Sequence, residues 1–273
     1  MNEGPDRNLM RDFRAAFYDG KRAYEQSIQK ILSGIEASGT DENWGVFNST
    51  LRGHKGYFQA QGKRTYNSFE GIGGVTAELL ELEVRTLHEH GIRVIMADYF
   101  GQGGPAVELG ADAVVTTSLA PFATSQPGVK QCSGDGLSEK VSKECFSRID
   151  ELKSQGHAFH SVFFRPVGGQ NKVDFMNPYV VTRMYQLLVE TYNRLDEGGR
   201  IFFVSPHPQM SMFLQEILGG SLRSDMNQMD SRFMLVKREG VVLPTLRDIA
   251  EQHPTVLGRI ISMYKGSRPR GTV

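Results

Sequence analysis

Apolar residues recur near helical spacing from residue 8 to about residue 36, at Met10, Phe13, Phe17, Tyr24, Ile28, Ile31, Leu32 and Ile35. That periodicity predicts an amphipathic helix, with Gly20 as a point where it splits. A polar, glycine-containing stretch follows to about residue 63 and holds the single tryptophan, Trp44. It reads as a loop. Residues 1–63 are thus expected to form a helical N-terminal extension, either a lid over a site or an arm for packing or dimerisation.

Beyond residue 63 the pattern changes to short apolar runs alternating with helical ones. Arg64–Glu70 is a weak strand candidate ending in Gly71-Ile72-Gly73-Gly74. Val75 to Glu89 has helical spacing. Arg93–Asp98 (RVIMAD) and Asp112–Ser118 (DAVVTTS) are compact apolar runs of the kind found in buried parallel strands. Residues 123–135, rich in Ser, Gln, Gly and Pro, read as a loop. Leu137, Val141, Cys145, Phe146, Ile149 and Leu152 mark one face of a helix that stops at Gly156, and Phe159–Arg165 (FHSVFFR) is a further strand. Asn177-Pro178 supplies an N-cap and a first-turn proline for a helix that runs to Gly198-Gly199. Arg200–Ser205 is the next strand. Arg232–Lys237 is another, paired with the segment near Ser221–Met226. Two short helices close the chain, and the last nine residues are expected to fray. Strands alternating with helices predict an α/β fold: a doubly wound, mostly parallel, seven-stranded Rossmann-like sheet over residues 64–273.

Composition narrows the chemistry. The chain has 273 residues, 31 Lys+Arg against 31 Asp+Glu, 39% hydrophobic and 23% charged residues. It carries no net basic footprint for nucleic acid or anionic membrane. No apolar run reaches the roughly 18 residues of a membrane helix, and the first residues lack the hydrophobic stretch of a secretory signal. Cys132 and Cys145 are too few for a disulfide framework, and their spacing fits no usual zinc pattern. The expectation is a cytoplasmic protein with no metal site and no membrane partner.

In a doubly wound sheet, ligands lie beyond the carboxyl ends of the strands. That places Glu70 with Gly71, Gly73 and Gly74, Asp98-Tyr99, Ser118-Leu119, Arg165 and His207 on the functional side. Glycines between strand and helix let the backbone turn tightly against a ligand, although a plain strand–helix turn uses them too. A strand-end carboxylate such as Asp98 can accept both hydroxyl protons of a ribose, or simply be a solvated acid. His207, in Ser-Pro-His-Pro after the Arg200–Ser205 strand, is the candidate general base or an ordinary loop histidine. Arg165 is a candidate anchor for an anionic substrate, or a rim salt bridge.

These residues together resemble the class I S-adenosylmethionine-dependent methyltransferases. Leu195–Val204 (LDEGGRIFFV) resembles that family's Leu-x-x-Gly-Gly turn and fifth strand, and Glu70–Gly74 its glycine-rich first motif. Val94–Asp98 resembles the second strand with its ribose-binding acid, and Ala111–Phe122 the third strand and the loop flanking the adenine. The resemblance implies S-adenosylmethionine held by Glu70, Gly71, Gly73, Gly74, Asp98, Tyr99, Ser118 and Leu119. It also implies methyl transfer to a small-molecule acceptor. Two places depart from it. The acid expected two residues before the first glycine is Phe69, with Glu70 one position on, and Ser118 stands where the third-strand loop usually offers an Asp to the adenine amine. These departures keep open a degenerate methyltransferase-like domain used for binding or dimerisation. A nicotinamide-dependent oxidoreductase would need glycine at position 76, where the chain has Thr76.

Overall fold

Strand-forming runs rich in Val, Ile and Phe pair here into one sheet. The structure is a computed structural model that describes residues 7–37, 75–100, 104–118, 127–164, 177–205, 208–219, 222–226 and 231–267. Its strands are β1 (Arg93–Tyr99), β2 (Ala113–Ser118), β3 (Val129–Ser133), β4 (His157–Phe164), β5 (Arg200–Ser205), β6 (Leu222–Met226) and β7 (Ser231–Val236). They lie in the order β3-β2-β1-β4-β5-β7-β6. Neighbours run parallel except where β7 inserts, antiparallel to both β5 and β6. Helices α1 (Arg7–Ala37) and α2 (Ala77–Glu89) precede β1, and α3 (Gly104–Glu108) joins β1 to β2. Then α4 (Glu139–Ser154) joins β3 to β4, α5 (Pro178–Arg194) joins β4 to β5, and α6 (Pro208–Leu218) leads to β6. Helices α7 (Leu246–Gln252) and α8 (Pro254–Ser267) follow β7. Among the described residues, no helix is long and apolar enough to cross a membrane.

Side chains alternate across a strand, so each parallel strand feeds two cores. Ile95, Ala97 and Tyr99 of β1 join Val115, Phe164, Ile201 and Phe203 on one face, under apolar residues of α1, α4, α5 and α8. Val94 and Met96 join Val114, Phe163, Phe202 and Met234 on the other, under Leu80 and Val84 of α2. A bulge in β4 keeps this sorting in register. Ile95 lies opposite Phe159 and Met96 opposite Ser161, which leaves His160 as the inserted residue. His160 instead reaches Glu83 of α2 at 3.2 Å, and Arg200 grips the same carboxylate with two bonds, one of 2.8 Å. Burial works against the Glu83 charge, but the bonds from His160 and Arg200 prevail and hold its carboxyl at about 2.

Two expectations change. The segment 123–135 contains a strand, β3, because an edge strand needs only one paired side. Its Val-Lys-Gln-Cys-Ser sequence buries Cys132 alone and so lacks an apolar signature. The chain end is more ordered than expected, since α8 includes the first three of the last nine residues. The order of strands also renumbers the sequence reading. Arg93–Tyr99 is the first described strand, lying between β2 and β4, whereas the resemblance made it the second. The expected strand at 64–70, the glycines at 71, 73 and 74, and Trp44 lie outside the described residues.

Helix α1 is one helix of 31 residues, and Gly20 does not split it. The glycine marks a close approach instead. A Cβ built there would stand 2.1 Å from Oδ1 of Asn177, the N-cap of α5. Asn177 Oδ1 accepts from the Tyr179 N–H at 2.9 Å, while its Nδ2 donates to the Gly20 carbonyl at 2.8 Å. Below this contact Phe13, Ala16, Tyr24 and Ile28 bury into the sheet's own core. In an ordinary helix Gly→Ala stabilises by roughly 0.5–1 kcal/mol. Gly20→Ala is expected to do the reverse. It displaces the Asn177 cap, whose loss costs about 0.5–2 kcal/mol, and urea denaturation of the two proteins gives the sign.

Candidate functional site

The order β2-β1-β4 fixes where a ligand can enter. The chain leaves β1 toward β2 and later returns to the other side of β1 as β4, so the strand order reverses at β1. In open α/β sheets the crevice beyond the carboxyl ends at such a reversal is the binding position. Here those ends are Asp98-Tyr99-Phe100 on β1, Thr116-Thr117-Ser118 on β2, Ser133-Gly134-Asp135 after β3, and Phe164 on β4.

Asp98 and Tyr99, adjacent in sequence, point to opposite faces. Tyr99 is core: its ring packs on Phe164 with centroids 5.0 Å apart, and its hydroxyl lies 3.5 Å from Thr191 Oγ1 on α5. Burial pushes its phenol pKa up. Asp98 is fully enclosed on the α2 face, level with Thr116 of β2. Thr116 Oγ1 is itself buried and without a hydrogen-bond partner, one of two such atoms among the described residues. A buried hydroxyl in that condition carries a desolvation cost of about 1–3 kcal/mol. Ser118 ends β2 opposite Ser133 of β3. Of the other residues singled out in the sequence, Glu70, Gly71, Gly73, Gly74, Leu119, Arg165 and His207 lie outside the described residues.

The residue after β1 is strained. Phe100 has φ +65°, a region bulky side chains rarely occupy. Its N–H donates to Thr117 Oγ1 at 2.9 Å, which ties the end of β1 to β2. Its ring also lies against Gly136, where an added Cβ would come within 2.8 Å of Cε1. Strand ends of β1 and β2 and the turn after β3 therefore form one packed unit. The sequence that follows Phe100 is Gly101-Gln102-Gly103-Gly104, and α3 begins at Gly104.

The turn after β3 holds the residue that the sequence reading missed. Asp135 is half-buried, and its Oδ1 accepts two hydrogen bonds: 2.7 Å from the Tyr24 hydroxyl of α1 and 3.0 Å from the Leu137 N–H. Oδ2 has no hydrogen-bond partner among the described residues. Burial raises the Asp135 carboxyl pKa above the usual aspartate range, with the bonds from Tyr24 and Leu137 pulling against it. Arg183 of α5 approaches the same turn, donating to the Leu137 carbonyl at 2.8 Å and to Ser142 Oγ at 3.1 Å. Ser133-Gly134-Asp135 was there to be read, but only once Val129–Ser133 is recognised as a strand.

No family model matches the chain, and no curated protein matches it. Among solved structures, a Plasmodium falciparum protein given as a ribosomal RNA methyltransferase is similar at 10% identity, with a TM-score of 0.37. That match covers 59% of this chain and 97% of the other. MycE, a methyltransferase of the mycinamycin biosynthetic pathway solved with Mg and S-adenosylhomocysteine, is similar at 8% identity, with a TM-score of 0.34. It matches over 63% of this chain, which spans 52% of MycE. Identities and scores this low leave the functional reading to the site's own geometry.

The raised Asp135 pKa sets a pH dependence with a definite sign. A carboxyl whose folded pKa lies above its unfolded value contributes stability below the unfolded pKa, near 3.9, and loses it as pH rises through the folded value. Asp135→Asn keeps the acceptor for Tyr24 and removes the charge. Its stability relative to the parent is therefore expected to grow as pH rises from about 4 and then level off, measured by parallel urea denaturation across that range.

Proposed function

We propose that the chain binds S-adenosylmethionine at the carboxyl edge of the sheet and transfers its methyl group to a small-molecule acceptor. The observation that carries this reading is the strand order. With β1 first, the features expected of the family fall one βα unit later in the sequence than the residues alone suggested. The glycine turn becomes Gly101-Gln102-Gly103-Gly104, after a strand whose penultimate residue is an acid. The third-strand loop gains its aspartate, Asp135.

The polar atoms fit that cofactor. Gly101, Gly103 and Gly104 place residues without Cβ between β1 and α3, the residue type that a close approach of backbone to ligand calls for. Asp98, enclosed at the end of β1, takes the part of the acid before the turn, three residues before Gly101 where the family has it two residues before. Ser118 ends the strand nearest the ribose position, and Asp135 Oδ2 offers an acceptor to the adenine amine. The bound group supplies an activated methyl electrophile. The chain's own task is to hold the acceptor in line and keep water out. His207 remains the candidate for removing the acceptor's proton and Arg165 for holding an anionic substituent.

One feature favours a second reading. β2 ends in Thr116-Thr117-Ser118, with no carboxylate to accept the ribose hydroxyls. A catalytically degenerate domain of this fold, used for binding or dimerisation and under no demand for tight cofactor binding, would tolerate that ending.

Calorimetric titration with S-adenosylmethionine and S-adenosylhomocysteine, with NAD(H) as control, separates these. Selective binding of the first two is expected. Asp135→Ala should weaken both by about 10- to 100-fold, as loss of a hydrogen bond to a charged group costs about 1.5–3 kcal/mol. Binding of NAD(H) alone, or of nothing by the folded protein, overturns the proposal. Binding with no methyl transfer to any acceptor supports the second reading.

A further inference from the structure

We infer that Tyr24, on the N-terminal helix, is a positioning residue of the nucleobase pocket, holding Asp135 so that Oδ2 meets a ligand's exocyclic amine. The inference rests on the reading of Asp135 given above and adds a residue from a part of the chain outside the family resemblance.

The geometry is specific to the hydroxyl. Tyr24 is enclosed in the core, its ring tilted against Tyr179 with centroids 5.4 Å apart. Phenylalanine already fills neighbouring positions on the same face, at Phe13 and Phe17. A buried phenol needs a partner, and the partner here is a carboxylate on another element, 111 residues away in sequence. The Leu137 N–H is a local donor two residues from Asp135. One local bond leaves the carboxylate free to swing about its broad terminal torsion. A second donor, arriving on the same Oδ1 from α1, removes that freedom and leaves Oδ2 as the acceptor with no partner among the described residues. The Gly20–Asn177 contact fixes α1 along its axis, and four residues later the same face presents Tyr24.

The bond also favours the charged form of Asp135 against burial. The groups facing that carboxylate are Tyr24 and Glu25 of α1, Tyr179 and Arg183 of α5, and the Leu137 N–H. An ionised carboxylate only accepts, so it selects an amino group and rejects a carbonyl at the same place. Tyr24 therefore acts on the choice between a 6-amino and a 6-oxo purine, a choice that packing alone would not alter.

The test titrates S-adenosylhomocysteine and its deaminated analogue S-inosylhomocysteine into the full-length parent, Tyr24→Phe, Asp135→Ala and the double variant. Thermal denaturation reports that each is folded, and Tyr24→Phe keeps the buried ring. Tyr24→Phe is expected to weaken the adenosyl ligand about 5- to 20-fold and leave the inosyl ligand unchanged or tighter. In the Asp135→Ala background the same substitution should change affinity less than about twofold, the mark of two residues acting as one unit. Equal losses for both ligands, or equal losses in both backgrounds, would make Tyr24 a packing residue and overturn the inference. So would an unchanged Tyr24→Phe beside a weakened Asp135→Ala. If the parent binds neither ligand, the methyl-donor reading itself falls and takes this one with it.

Discussion

β1 is hydrogen-bonded along both edges and covered on both faces, so a ligand can meet it only at its ends, and in open α/β sheets that end is the carboxyl one. The site follows from that constraint. The chain reverses its winding direction at this strand, and the carboxyl ends of β1, β2 and β3 lie side by side there. Fully apolar strands leave few places for polar groups. Several of those present lie at this rim, Asp98, Thr116 and Thr117 on the strands and Asp135 after β3. The opposite edge of the sheet shows a contrasting use of charge, where Glu83, His160 and Arg200 satisfy one another and tie α2 down.

The packing of α1 changes what an N-terminal extension means in this fold. Its apolar face is continuous with the core beneath α5 and α8, and its polar contacts include the cap of α5, the turn after β3 and Tyr264 of α8. Over residues 7–37 the helix is thus a wall of the core.

Much of the fold was legible in the sequence because buried parallel strands are short apolar runs with little ambiguity. Arg93–Asp98, Phe159–Arg165 and Arg200–Ser205 were read within a residue or two, as was the Asn177-Pro178 helix start. The hairpin of β6 and β7 was read as well. What failed was β3, whose edge position permits a polar sequence. With residues 123–135 read as loop, Asp135 receives no role in the sequence reading. Tyr99 illustrates a different limit. A strand-end residue is on the functional edge by position, but alternation turned its side chain into the core. Tyr24 could not have been found at all from local pattern, because its hydroxyl acts across 111 residues of chain.

A missing methyl group sets the phase of a long rod. At Gly20 the backbone of α1 comes so near Asn177 that the helix has one seat, and everything C-terminal to it inherits that angle. A helix advances about 1.5 Å and turns about 100° per residue. Adding or removing one residue between Gly20 and Tyr24 would swing the phenol off the sheet while leaving the helix intact. The spacing of those two residues is therefore information in its own right, four positions that carry the alignment of the N-terminal helix to the far rim of the sheet.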